Sequence, residues 1–222
     1  ACHYLRVLEL LNLEARVVPM EVYADSESKK WAREFAKNNG FADARHIIGV
    51  APCGGETYGS NAYYKRWPEK KYQELVEQLL RDEDVIVCVF ASKKEEAHAP
   101  ALMRFAENAQ RCLKITDYSL EQVIALIERC SIFISNDNGL LRIADALRRK
   151  IVAFYGPVDE NVYGMFPYDP SMHKNMTADV PCRPCYKKFR LAPCEHIECL
   201  NRIDVDAVFA EVVALMNDEK EG

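Results

Sequence analysis

Two sets of residues have the types and spacing to do chemistry. The first is a run of four cysteines, Cys182, Cys185, Cys194 and Cys199, in the pattern C-x2-C-x8-C-x4-C. Four thiolates so spaced suit tetrahedral zinc, with iron second. With every ligand position filled by protein, such a centre would be closed and structural rather than hydrolytic. Arg183, Lys187, Lys188, Arg190 and Arg202 surround the thiols and would offset the negative charge of a metal–thiolate centre. Free thiols or two disulfides are the alternative, and His196 stands by as a spare ligand.

The second set lies on three loops. Pro52-Cys53-Gly54-Gly55 leads through Ser60 and Asn61 to Lys65-Arg66-Trp67-Pro68. A long loop entering a helix start favours an anion through its backbone amides and the helix dipole, and Lys65 adds a full charge. Ser135-Asn136-Asp137-Asn138-Gly139 then enters a second helix start, with Arg142 one turn inside. Gly139 would let a ligand approach the backbone, and Arg142 is a fork-shaped phosphate donor. Asp137 would repel a phosphate head-on, so it is expected to cap the helix or bind a hydroxyl. The third loop, Ala91-Ser92-Lys93-Lys94-Glu95-Glu96, offers a carboxylate to ribose hydroxyls. Each loop also has a plainer reading: a surface loop with Trp67 as a lid, an Asx cap with a solvated Arg142, and a charged helix start. There is no Walker lysine loop and no G-x-G-x-x-G.

The elements that must position these loops follow from periodicity. Ile47–Ala51, Val85–Phe90, Leu113–Ile115, Ile132–Ser135 and Ile151–Tyr155 read as strands. Between them come helical patterns at Glu69–Arg81, Glu95–Ala109 (started or kinked by Pro100), a stretch after Ser119, and Leu140–Arg149. Ser119 and Gln122 have capping-box spacing. Asp204–Met216 closes the chain as a helix, and Val85–Phe90 lacks polar alternation, as a strand buried on both faces should. Alternating strands and helices with short connections predict an α/β fold, a Rossmann-like parallel sheet with helices on both faces, carrying a Cys-rich loop. In such sheets ligands bind at the carboxyl ends of the strands, which is where the three loops fall. Before the sheet, His3–Leu13 reads as an apolar helix, Val17–Tyr23 as extended, and Glu27–Asn38 as a helix that Gly40 ends. Residues 1–24 are expected to be a connector from an amino-terminal domain that is missing. Residues 25–217 form the domain, with the Cys-rich loop at 180–200.

Composition narrows the function. The chain has 222 residues, 49% hydrophobic and 28% charged, with net charge −5. That is ordinary for a globular domain and argues against general coating of nucleic acid. A nucleic-acid binder built on the basic cysteine loop is therefore the weakest reading. No apolar run is long enough to span a bilayer, and no signal-peptide pattern opens the chain. Cys88, Cys112 and Cys130 border or occupy apolar runs, and the cysteine total of nine is odd. Buried free thiols in a reducing cytoplasm are expected.

Three segments taken together carry a resemblance. Lys65-Arg66-Trp67-Pro68 before an amphipathic helix, Ser135 through Leu147, and Ile151-Val152-Ala153-Phe154-Tyr155-Gly156-Pro157 follow in an order and spacing that resemble glycosyltransferase family 9. These are the ADP-heptose:lipopolysaccharide heptosyltransferases and their relatives. The resemblance implies one half of a GT-B glycosyltransferase, the carboxy-terminal half that binds the nucleotide sugar. It implies transfer of a heptose or similar sugar from an ADP-sugar to a lipopolysaccharide-core or protein hydroxyl, with no catalytic metal. It places Lys65 on the donor diphosphate, Ser60 and Asn61 near the phosphates, Glu95 (or Glu96) on the ribose, and Asp137, Asn138 and Gly139 along the sugar–diphosphate pocket. Arg142 stands where the family usually has His, Asn138 where Thr or Ser is usual, and Asp145 where a small residue is usual. The acceptor and the catalytic base would come from the missing amino-terminal domain, so this chain alone is expected to be inactive. A peripheral contact with the inner membrane surface would suit the lipid-linked acceptor. The alternative is a non-catalytic nucleotide-sugar-binding or partner-binding module that works with a separate acceptor domain.

Overall fold

The computed structural model describes residues 2–14, 16–53, 59–188 and 190–218, with the side chains of residues 2–4 and 59–61 outside the description. Helix α1 (Cys2–Leu10) is followed by an extended stretch and α2 (Ser26–Asn38). Six strands then alternate with helices: β1 (His46–Ala51), α3 (Glu69–Leu79), β2 (Val85–Phe90), α4 (Pro100–Asn108), β3 (Cys112–Ile115), α5 (Leu120–Arg129), β4 (Ile132–Asn136), α6 (Gly139–Ala146) and β5 (Lys150–Phe154). A short α7 (Glu160–Tyr163), β6 (His173–Met176), α8 (Glu198–Asn201) and α9 (Val205–Asn217) complete the chain.

The sheet is parallel throughout, in the order β3-β2-β1-β4-β5-β6. Strand order reverses between β1 and β4, and in open α/β sheets that crevice is where ligands sit. Alternation of side chains builds two cores. Ile48, Val50, Val87, Val89, Ile134 and Phe154 join one face, under α3, α4 and α9. Ile47, Cys88, Phe90, Phe133, Ile151 and Ala153 join the other, under α2, α5 and α6. The expected layering, helices on both faces of a parallel sheet, is the one observed.

Local signals fixed most boundaries. Asp25 caps α2, with its side chain accepting from Ser28 N, and Asp204 caps α9 through Ala207 N. Ser119 and Gln122 form the complete capping box of α5. Gly40, at φ +74°, ends α2 in a Schellman arrangement: its N–H donates to Lys37 O and that of Phe41 to Ala36 O. Pro100 starts α4 rather than kinking a longer helix, and a 3-10 turn (Glu96–His98) precedes it. Gly49 is needed for packing: a Cβ there would come within 2.5 Å of the Phe133 ring.

Three expectations are corrected. The helix expected over Leu140–Arg149 ends at Ala146, because Arg148 adopts a left-handed φ of 57° before β5. The excursion between β5 and the last helix is not loop alone; it contains β6, paired in register with β5 from Ile151↔His173 to Phe154↔Met176. Its polar sequence His-Lys-Asn-Met hides an edge strand from periodicity. The loop that carries Trp67 is not merely superficial: Trp67 packs on Tyr72 of α3 and deeper, into the core. It is 1% exposed, stacks on Phe154 at 4.4 Å and donates from Nε1 to Ile203 O.

Candidate functional site

The β1–β4 crevice gathers two of the three loops. After β1 the chain runs into a 3-10 segment (Gly59–Lys65) that ends on Lys65. After β4 it passes Asp137 and Asn138 into α6. Two asparagines, the buried Asn136 and the half-buried Asn138, clip the loops together. Asn136 donates from Nδ2 to Pro52 O at 2.6 Å and accepts from Trp67 N at 2.9 Å. Asn138 caps α6, accepting from Leu141 N, and donates to Cys53 O at 2.7 Å. The helix cap is therefore Asn138 and not Asp137, which is freed for another task.

That task is an ion cluster. Asp137 Oδ2 lies 2.6 Å from Lys65 Nζ, and its Oδ1 lies 3.0 Å from an Arg142 nitrogen. The carboxylate is 9% exposed and Lys65 11%, so all three charges are at least partly desolvated. Arg142 is only one-third exposed, at 33%. Its guanidinium also donates to the carbonyls of Gly164 and Tyr163 and so holds the α7 turn against α6. Lys65 reaches the turn that enters α6 through Asp137, and the first-turn amides of a helix lack intrahelical acceptors. The backbone of Ser60 and Asn61 lies in the 3-10 segment preceding Lys65, and their side chains lie outside the described residues.

Glu95 joins the same site from the third loop. Two adjoining hollows of about 360 and 280 Å³ open at the carboxyl ends of β1 to β4, and Phe90, Glu95, Leu120 and Leu140 line both. Glu95 accepts from the amide and hydroxyl of Ser92, which fixes it at the hollow's rim. Glu96 is turned away: Lys114 holds it at 3.1 Å and, by that hydrogen bond, keeps its carboxyl below the usual range. Of the two glutamates, Glu95 is the one that lines the hollows. Gly139 and Asn138 line the smaller hollow with Cys53, whose thiol burial pushes up to about 12, so it is inert as a nucleophile. Sequence reasoning missed the apolar walls, Leu120 above all, which is 57% exposed. It also missed Asn136, whose only signal is an amide at the end of an apolar strand.

The Cys-rich loop packs past the carboxyl end of β5, with Cys182 exposed, Cys185 and Cys194 half-buried and Cys199 buried. The amides of Cys185 and Tyr186 donate to Pro157 O, and the Cys194 amide donates to the Tyr64 hydroxyl, tying the loop to the turn before Lys65. Arg183 spends its guanidinium on Gly156 O, Val158 O and Glu160. Burial lifts the Cys199 thiol to about 11, with the Cys185, Cys182 and Cys194 sulfurs raising it further. Burial also lifts Cys185. The sulfurs thus lie close enough to perturb one another. Among the described residues, however, no three His, Cys, Asp or Glu side chains stand in metal-holding geometry. Cys194 Sγ instead accepts from Ile197 N at 3.3 Å.

A profile of glycosyltransferase family 9 (heptosyltransferase) matches residues 5–196. The chain is 32% identical over 160 residues to lipooligosaccharide heptosyltransferase 2 of Haemophilus ducreyi, a match that covers 70% of this chain and 42% of that one. It resembles the solved structure of the ADP-heptose lipopolysaccharide heptosyltransferase II of Escherichia coli, with TM-score 0.68 and 23% identity over 95% of this chain and 57% of that one. It also resembles a glycosyltransferase family 9 structure from Veillonella parvula, with TM-score 0.76 and 20% identity over 97% and 59% of the two chains. The chain thus spans about half the length of these relatives.

Proposed function

The chain belongs to glycosyltransferase family 9, and from that premise we propose that it is the donor-binding half of an inverting GT-B glycosyltransferase. It would transfer a heptose or similar sugar from an ADP-sugar to a lipopolysaccharide-core or protein hydroxyl. The observation that carries the reading is the Lys65–Asp137–Arg142 cluster at the strand-order reversal, beside hollows rimmed by Glu95. The apolar slot of Phe90, Leu120 and Leu140 suits a flat nucleobase, and Glu95 suits the ribose hydroxyls. Lys65 and the first turn of α6 would take the diphosphate. When the acceptor oxygen attacks the anomeric carbon, the bond to the diphosphate breaks and negative charge collects on the leaving phosphate. Lys65 and the helix amides stabilise that charge where it develops, so this half needs no catalytic metal. Asp137 neutralises Lys65 and Arg142 until the donor phosphates displace it. The acceptor's proton goes to a base that this reading assigns to an amino-terminal domain.

Residues 25–217 then form the donor domain, and 1–24 the connector to the acceptor-binding domain. Val7, Leu10, Leu11, Leu13, Val17, Val18 and Met20 are all about half exposed or more, an apolar surface that such a domain would cover. No helix among the described residues is long and apolar enough to cross a membrane. The reading places the reaction in the cytoplasm, with a peripheral contact to the inner membrane for a lipid-linked acceptor. The buried free thiols Cys53, Cys88, Cys112 and Cys130 suit that reducing compartment.

The four thiols of Cys182, Cys185, Cys194 and Cys199 have the right chemistry for zinc or iron but are not gathered as ligands. We propose that the loop closes on such an ion when one is supplied, as a structural clamp. Metal content after purification, with thiol accessibility before and after chelation, tests this. One equivalent of metal lost in Cys185→Ser supports it, and no metal in the wild type grown with zinc and iron refutes it.

Calorimetric titration with ADP and ADP-heptose tests the donor site. Saturable binding that Lys65→Ala weakens is expected. No binding by the wild type, or undiminished binding by the variant, overturns the reading. Supplying an acceptor domain in trans should restore transfer if this half is catalytic.

A further inference from the structure

At the opposite end of the sheet, beneath the amino ends of β1, β4 and β5, lies a hollow of about 380 Å³. Five of its lining residues are cationic: Arg45, Arg129, Arg148, Arg149 and Lys150. Among the described residues no Asp or Glu lines it, in a chain whose net charge is −5. Two neighbouring carboxylates have partners of their own, though Asp145 also feels the charge of Arg148. Glu128 pairs with Lys29 at 2.8 Å, and Asp145 faces His173 Nε2 at 3.5 Å.

The cations are positioned as well as concentrated. Arg149 is held by three backbone carbonyls, with Nε donating to Leu147 O and one terminal nitrogen to Glu128 O and Cys130 O. Among the described residues, its other terminal nitrogen forms no hydrogen bond. Lys150 is anchored on Leu215 O at 2.7 Å. Arg129 Nε is buried and has no hydrogen-bond partner among the described residues. A buried donor without an acceptor is unfavourable, and it leaves Arg129 with an unmet hydrogen bond beside the hollow. Arg45 and Arg148 are exposed at the rim, and neither forms a salt bridge among the described residues. Ile47, Cys130 and Met172 form an apolar floor. The volume falls in the range of small-molecule pockets, roughly 300–1,000 Å³, and exceeds what a bare phosphate fills.

We propose that this hollow is a second anion site, which takes a phosphate monoester or diphosphate carried on a small organic body and is independent of the donor site. A soluble phosphorylated metabolite and a glycerophospholipid headgroup share that chemistry. Arg fits it better than Lys because guanidinium forks match phosphate oxygens in pairs.

The test titrates the full chain by calorimetry, at low ionic strength, with glycerol 3-phosphate and with pyrophosphate. The wild type is compared with Lys65→Ala, which disables the proposed donor site, and with the rim double variant Arg45→Glu/Arg148→Glu. Saturable binding that survives Lys65→Ala and falls about tenfold or more in the double variant is expected. If the double variant fails a circular-dichroism check of folding, Arg148→Ala replaces it, with a smaller loss expected. Cosedimentation with phosphatidylglycerol and phosphatidylcholine vesicles separates the sources. Pelleting with the anionic vesicles alone, lost in the rim variant, identifies a headgroup, and binding of glycerol 3-phosphate without pelleting identifies a soluble ligand. Absence of saturable binding to both phosphate probes and to vesicles overturns the proposal, as does binding that the rim variants leave within twofold of wild type. Failure of ADP binding with survival of this site would defeat the donor reading and leave this one standing.

Discussion

Exchanging Lys65 and Asp137 separately for alanine should affect stability and binding in different orders. The two charges lie 2.6 Å apart, at 11% and 9% exposure, with Arg142 3.0 Å from the other carboxylate oxygen. Unit charges at that distance attract by ~6 kcal/mol at an effective dielectric of about 20. Stripping water from both offsets most of it, so the pair's net worth is far smaller than the gross attraction. Lys65→Ala leaves Asp137 still paired with Arg142, and should cost ~1–2 kcal/mol of unfolding free energy. Asp137→Ala removes the anion shared by both cations, and should cost ~3–5 kcal/mol, the scale for breaking a buried pair from one side. Donor binding should respond in the reverse order. Losing Lys65 removes a charge-assisted contact to the diphosphate worth ~1.5–3 kcal/mol, which weakens ADP roughly 10- to 150-fold. Losing Asp137 removes a competitor for Lys65, so ADP should bind as well as before or better. Urea denaturation gives the stabilities and calorimetry the affinities. The reasoning fails if Lys65→Ala binds ADP within twofold of wild type, or if Asp137→Ala proves the less destabilising change.

Glu95→Gln should weaken ADP by ~1–2 kcal/mol, read as about 5- to 30-fold, while leaving pyrophosphate binding unchanged. Glu96→Gln should leave both unchanged, because Glu96 is held by Lys114; calorimetry with both ligands decides. Trp67→Ala should cost ~3–5 kcal/mol, since it empties a fully buried stack on Phe154. A loss below about 2 kcal/mol in urea would show the site collapses to fill the hole. His173 is held below its usual 6.5 mainly by burial. Between that lowered value and 6.5 the unfolded chain binds more protons, so His173 lowers stability as the solution is acidified below 6.5. Asp145, raised by burial, acts in the opposite sense at lower pH: its contribution is present below 3.8 and is lost as pH rises through its folded value. His173→Gln should flatten the stability profile just below 6.5, and melting curves at several pH values in one buffer series would reveal an unchanged slope if burial is not the cause.

Much of the fold was legible because its signals are local. Ser119 with Gln122, Gly40 after a helix, Pro100 at a first turn and the all-apolar Val85–Phe90 each determine their own boundary through a few neighbouring atoms. The alternation of strands and helices then implied a parallel sheet, and the sheet implied a site at the carboxyl ends of its strands. The loops that carry Lys65, Glu95 and Asp137–Arg142 were identifiable for the same reason. Strand β6 was not, because an edge strand has little apolar face to repeat, and the pairing that makes it a strand comes from β5.

What each site residue does was decided only by tertiary structure. Nothing within the sequence around residue 137 distinguishes a cap from an ion-pair partner. Asn138 took the cap because its side chain reaches Leu141 N, while Asp137 meets a lysine seventy-two positions away. Glu95 and Glu96 are adjacent in sequence, and only the approach of Lys114 from β3 separates their roles. The basic hollow at the other end of the sheet is a tertiary product likewise: arginines from the starts of three strands converge only when β1, β4 and β5 lie side by side. Residue type and spacing determine which groups can do chemistry, whereas charge pairing and desolvation depend on distances of a few ångströms between segments that the chain itself keeps far apart.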